Sequence, residues 1–219
     1  MLMKIFYLWS FLTCSAKANP VPEPQLSPRV STTYTASFDD LIPVNLLNDL
    51  LSAPEIGSYN GLRYQGFYTI QPGLLGVLSL GGLYPQSGTN AAGYDSLGSV
   101  DTNTGTIVRT ITVESRSILR PATVDLRSFW WGCQTGLKQY VLSAPIGCNL
   151  TIVGSFAWRE VTRKTIRFQP VLIDLLQNMK FADLGTQFKG LDTVTFITQY
   201  DTGINGATSF DDITYTINK

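Results

Sequence analysis

Ser209-Phe210-Asp211-Asp212-Ile213-Thr214-Tyr215-Thr216-Ile217 is the stretch on which the fold turns. Its β-branched and aromatic residues read as a strand, the last of the chain. Two aspartates stand side by side within it. The same tripeptide occurs near the other end, as Phe38-Asp39-Asp40, directly after the strand-like Thr33–Phe38 run. Adjacent carboxylates repel, so they suit a site that brings in a cation or faces water. In many β-sandwiches the first and last strands are neighbours. In that arrangement Asp39, Asp40, Asp211 and Asp212 meet, and Ca²⁺ suits them. That ion takes six to eight oxygens, of which two aspartate pairs supply two to four. The alternative is that all four are strand-end or turn residues facing water.

Working inward, short runs of strand formers alternate with turn residues. Leu62–Thr69, Ile107–Val113, Ala122–Trp131, Asn149–Trp158, Glu160–Pro170 and Thr193–Tyr200 join the two terminal runs to give about eight strands. In Ile107–Val113, residues Ile107, Arg109, Ile111 and Val113 share one face. In Asn149–Trp158, Leu150, Ile152, Gly154, Phe156 and Trp158 share one face, which places Trp158 in the core. Arg159-Glu160 reads as a hairpin turn. Pro43–Leu51 has apolar residues at helical spacing, and Val171–Leu176 is strand or short helix. The Gly/Ser/Asn-rich Pro72–Gly105 segment reads as a long surface excursion.

Composition narrows the class. Of 219 residues, 44% are hydrophobic and 15% charged. That charge lies below the roughly 25% usual for soluble domains. There is no histidine, which removes Ser-His-Asp and Cys-His nucleophile systems and the usual zinc sites. Residues 1–18 read as a signal peptide: Lys4, an apolar Ile5–Leu12 core and the small residues of Ala16-Lys17-Ala18. Residues 19–30 form a flexible Pro-rich lead-in, and 31–219 one domain. Without Lys4 and Lys17 the mature chain carries 14 basic and 16 acidic side chains. No basic field is there to hold nucleic acid or an anionic membrane. No later segment is apolar for long enough to span a bilayer.

Secretion implies an oxidising compartment. Cys14 leaves with the leader, so Cys133 and Cys148 remain as the one pair, 15 positions apart. A disulfide there contributes about 3 kcal/mol in the chain-entropy model. Asn149-Leu150-Thr151 is an N-glycosylation sequon.

Sugars stack on Trp and Tyr. Trp130 and Trp131 are consecutive, so in a strand they face opposite ways and at most one is core. Tyr64, Tyr94 and Tyr140 are further ligand-binding candidates. Core packing is the competing reading for each. Hydrolysis would need two acids roughly 5–10 Å apart. Glu114, Asp125 and Glu160 sit on or beside strands, but nothing in the sequence pairs them.

Together Phe38-Asp39-Asp40-Leu41, Tyr59–Phe67, Val124–Cys133, Cys148–Gly154 and Phe210–Tyr215 resemble, in this order, a family of small secreted fungal proteins of unknown function. The resemblance implies a jelly roll similar to carbohydrate-binding modules of the galactose-binding-like type. In that wider class an acid on the first strand and an Asp on the last share a structural calcium. The matching residues here are Asp39 or Asp40, and Asp211 or Asp212. The chain is therefore expected to be an all-β, jelly-roll β-sandwich, secreted and monomeric. Its expected role is non-catalytic binding of an extracellular or cell-wall polysaccharide. The alternatives are an effector-like protein with a protein partner, and a carboxylate glycosidase or lyase.

Overall fold

The computed structural model describes residues 29–41, 55–70, 82–95, 100–101, 106–114, 121–135, 144–171, 176–201, 203 and 206–219. The expected signal peptide (1–18), most of the expected lead-in, Pro43–Leu51, residues 172–175 and Tyr140 lie outside them. The described residues form fourteen strands and no helix. These are β1 (Ser31–Ala36), β2 (Glu55–Tyr59), β3 (Leu62–Ile70), β4 (Gly82–Tyr84), β5 (Ala91–Asp95), β6 (Val100–Asp101), β7 (Thr106–Val113), β8 (Thr123–Thr135), β9 (Cys148–Phe156), β10 (Arg159–Phe168), β11 (Leu176–Asn178), β12 (Lys180–Asp183), β13 (Thr193–Tyr200) and β14 (Gly206–Asn218).

The ladder runs β10-β9-β13-β7-β3-β5-β14-β8-β12, and every pairing along it is antiparallel. It folds over on itself at β3. The first half of β3, Leu62–Gln65, pairs with β7, and its second half, Tyr68–Ile70, pairs with β5. Between the halves stands Gly66 at φ +71°, a left-handed position that suits glycine. One strand thus serves two layers, as a jelly-roll sandwich requires. At the far edges, Lys164 Nζ on β10 donates to the Asp183 carbonyl of β12 at 2.6 Å. Lys180 Nζ on β12 donates to the Arg167 carbonyl at 3.3 Å.

Inward-facing residues fill the space between the layers. Phe67, Phe129, Phe196 and Phe210 form an edge-to-face cluster with ring centroids 5.0–6.1 Å apart. Such pairs add to the burial of apolar area. The alternation expected for Ile107–Val113 is present: Ile107, Arg109 and Ile111 are buried, while Val108 is exposed.

Three expectations need correction. The Pro72–Gly105 segment is not only a surface excursion, because it contains β5, buried at every residue and paired with both β3 and β14. Its Ala91-Ala92-Gly93 sequence carries little hydrophobic signal, yet small size is what the place demands. A Cβ on Gly93 would lie 2.7 Å from Ile70 Cδ1. Second, the hairpin after β9 turns at Ala157-Trp158, with Arg159 already paired to Phe156. Third, Trp158 is therefore at the turn, fully exposed, and not in the core. Phe156, expected on the same inward face, is 37% exposed as well, so the buried phase ends at Gly154.

Candidate functional site: a seam and a groove

Both Phe-Asp-Asp motifs come to one seam. On one edge of β14, β5 pairs up to Phe210↔Ala92 and β1 takes over from Ile213↔Ala36. Asp211 and Asp212 occupy the interval, where β14 bulges and Asp212 is left-handed at φ 46°. The bulge lets Phe210 and Ile213, three residues apart, both point into the core. The first motif leaves β1 beside it, with Phe38 buried at 5.4 Å from the Tyr59 ring and 5.6 Å from that of Tyr64.

The carboxylates hold the loop that enters β5. Asp39 Oδ1 accepts the N–H groups of Thr89 (2.9 Å) and Asn90 (3.0 Å). Asp211 Oδ2 accepts the Ser87 N–H and Asp212 Oδ1 the Ser87 hydroxyl, both at 2.8 Å. Asp40 Oδ1 accepts the Tyr59 hydroxyl at 2.6 Å. Asn90 Nδ2 donates to the carbonyls of Phe38, Asp39 and Leu41. Burial pushes the Asp211 carboxyl up to about 6, against the Ser87 and Asp212 N–H groups that pull it down. Among the described residues no three acidic, thiol or imidazole side chains converge as a metal cluster. A cation at the seam would draw its remaining ligands from carbonyls, hydroxyls and water, which calcium accepts.

A groove opens on the outer face where β3 parts from β7. It has a volume of about 280 Å³ and is lined by Glu55, Gln65, Gly66, Tyr68, Val108, Arg109 and Thr110. That volume lies near the lower end of small-molecule sites, roughly 300–1,000 Å³. The parting frees backbone carbonyls, and Arg109 answers them from below. Its Nε donates to Gly66 O and its Nη1 to Val108 O, both at 2.9 Å, and Nη2 reaches Asp95 O at 3.5 Å. The guanidinium also lies 5.7 Å from the centre of the Tyr94 ring. A Cβ on residue 66 would sit 2.6 Å from Arg109 Cδ, so glycine is needed here for space as well as for φ. Above the guanidinium, Glu55, Gln65 and Thr110 offer a carboxylate, an amide and a hydroxyl, and Tyr68 is half-buried beside them.

The sequence candidates divide. Tyr64 and Tyr94 are wholly buried and Trp131 is 1% exposed, so none can present a ring to a sugar. Tyr94 instead bonds Thr198 Oγ1 at 2.7 Å within the core. Trp130 is half-buried on the outer face, 5.2 Å from Phe181, its half-exposed partner across the β8–β12 ladder. Cys133 and Cys148 are disulfide-bonded, with Cα atoms 6.3 Å apart. Asn149 stands half-buried on β9, its amide oxygen accepting from Arg167 Nη1 at 3.4 Å. Glu114, Asp125 and Glu160 each bond a different partner, the Ser58 hydroxyl, the Gly190 N–H and Arg163 respectively. The groove residues Glu55, Gln65, Tyr68 and Thr110 were not singled out by sequence. The one available sign was Gly66 interrupting an otherwise alternating strand.

The sequence matches no protein-family model and no curated protein. Among solved structures it is similar to a DUF4465 family protein from Bacteroides caccae ATCC 43185. Identity is 14% and TM-score 0.52, over 84% of this chain and 98% of that one. It also aligns with TmCBM61 in complex with β-1,4-galactotriose (12% identity, TM-score 0.36, 77% and 97% covered). A cyclase from Fischerella sp. TAU aligns at 10% identity and TM-score 0.37, with 85% and 98% covered. At such identities the first of these shares the fold alone, and the other two carry no argument about function.

Proposed function

We propose that this protein is a secreted, non-catalytic carbohydrate-binding module whose ligand lies in the groove beside Gly66. The observation that carries the proposal is the groove's lining. That lining is chiefly polar: Glu55, Gln65 and Thr110 offer acceptors and donors for vicinal hydroxyls, with half-buried Tyr68 among them. Glu55 is the single acid of that lining, whereas a glycosidase needs two flanking carboxyls. The disulfide suits an oxidising compartment and so supports secretion.

Calcium belongs to the same reading, at the seam. Asp211 is wholly buried beside Asp212, and no described lysine or arginine is paired with it. A cation held by the Asp211–Asp212 pair, its shell completed by carbonyl, hydroxyl and water oxygens, would stabilise the native chain as any native-state ligand does. It would fix the β1–β5 junction and leave the groove chemistry to the side chains named above.

The test is binding of the full chain to soluble galactan, xylan, β-glucan and chitin oligosaccharides, followed by titration calorimetry. Retention of one class, lost in Tyr68→Ala and weakened in Gln65→Ala but unchanged in Trp130→Ala, is expected. Binding that survives Tyr68→Ala and is lost in Trp130→Ala would move the site to the Trp130–Phe181 pair.

A further inference from the structure

The β9–β10 hairpin carries three large apolar side chains into solvent. Trp158 is fully exposed, Val161 58% and Phe156 37%. Both turn residues are left-handed, Ala157 at φ 49° and Trp158 at φ 66°. Two-residue hairpins of this hand ordinarily take Asn-Gly. A Cβ at each such position costs roughly 1–2 kcal/mol. Yet the turn is braced. Asp192 accepts the Ala157 N–H at 2.6 Å and donates its own N–H to the Ser155 carbonyl at 3.0 Å. Arg163 grips Glu160 through two bonds of 2.8 and 2.7 Å. An indole exposed in full adds nothing to the core. A rigid, strained turn that displays one is the kind of outlier found at functional positions.

We propose that this tip seats in the interfacial layer of a phosphocholine bilayer. Trp158, Phe156 and Val161 enter at the level of the ester carbonyls, and exposed Arg159 lies at the phosphates. Trp favours that layer because its ring is apolar and its N–H polar. The shape of the tip decides against other occupants. A stable protein interface covers about 800 Å² on each side, far more than a convex turn offers. A sugar needs polar groups converging around the ring, and here Glu160, Arg163 and Asp192 are engaged with the hairpin itself. A fluid layer closes around a convex tip without such complementarity. With nearly balanced charge, apolar insertion drives the association, and the protein lies on the membrane. No described helix is long and apolar enough to cross one.

The experiment is cosedimentation of the full chain with phosphatidylcholine vesicles, read together with indole emission and quenching by lipids brominated along the acyl chain. Expected are partitioning that persists in ~1 M NaCl, where the Debye length is about 3 Å, a blue-shifted emission, and quenching strongest for bromines nearest the headgroup. Trp158→Gly should partition at least about tenfold less while melting at a higher temperature, because glycine relieves the strained φ. Tyr68→Ala should bind vesicles as the wild type does, which separates this site from the groove. Trp158→Gly that partitions like the wild type would overturn the proposal. So would binding that requires phosphatidylserine and vanishes in salt.

Discussion

Gly66 and Arg109 are the pair on which the groove depends. Alanine at residue 66 would force a left-handed φ on a residue with a Cβ and press that Cβ on Arg109. We expect Gly66→Ala to lower stability by about 1–3 kcal/mol, measured by urea denaturation. An unchanged midpoint would show that the strand relaxes there freely. Arg109→Met keeps the stem but strips the donors from Gly66 O, Val108 O and Asp95 O. A loss of roughly 1–3 kcal/mol is expected from the carbonyls left unsatisfied, with any sugar affinity reduced alongside it. A variant as stable as the wild type would mean water serves those carbonyls as well. Sequence reading found the inward phase of Arg109 but not its task, because two of the three carbonyls it serves, those of Gly66 and Asp95, belong to residues 43 and 14 positions away. Trp158 failed for a related reason: alternation gives a residue's face only while the strand lasts.

At the level of elements, the seam between β1, β5 and β14 carries the pH response. The Asp211 carboxyl titrates at about 6 when folded, above the ordinary 3.8, chiefly because it is buried. Between those values the folded chain holds a proton that the unfolded chain has released. Stability from this group is therefore full below about pH 4 and is lost as pH rises through 6, by of order 2–3 kcal/mol. In calcium-free buffer, melting temperature should fall over pH 4–6 by more in the wild type than in Asp211→Asn. Calcium should raise the wild-type melting temperature above pH 6 and leave Asp211→Asn nearly unmoved. Identical responses of the two proteins, with and without the ion, would refute both the titration and the calcium site. The Cys133–Cys148 bridge joins β8 to β9, and replacing both cysteines by alanine should cost about 2–5 kcal/mol. A smaller loss would show that the Thr135–Ala144 and Ile146–Cys133 backbone bonds hold those strands unaided. The doubled Phe-Asp-Asp announced this seam because the tripeptide combines a core anchor with two carboxylates. The loop that those carboxylates hold was not legible, since Ser87–Asn90 reads only as turn-forming chain.

At the scale of the molecule, the all-β sandwich was legible because long alternating runs dominate its centre. β7, β8, β9, β13 and β14 lie close to where alternation puts them. β5 was hidden because a strand buried on both faces by small residues has no period to detect. The groove was hidden because it belongs to no element. It exists where one strand passes from layer to layer, a property of topology rather than of any local stretch. The same topology separates three surfaces: the groove at the β3–β7 split, the seam at β14, and the β9–β10 tip. Sugar binding, metal binding and membrane seating, as proposed, are therefore independently removable. The groove as a carbohydrate site is tested by calorimetric titration of wild type, Tyr68→Ala and Trp130→Ala with the oligosaccharide class that the full chain retains. Wild-type affinity kept in Trp130→Ala and reduced at least about tenfold in Tyr68→Ala, a loss of about 1.4 kcal/mol, is the predicted result. Equal affinity in all three proteins would contradict a carbohydrate site in this groove.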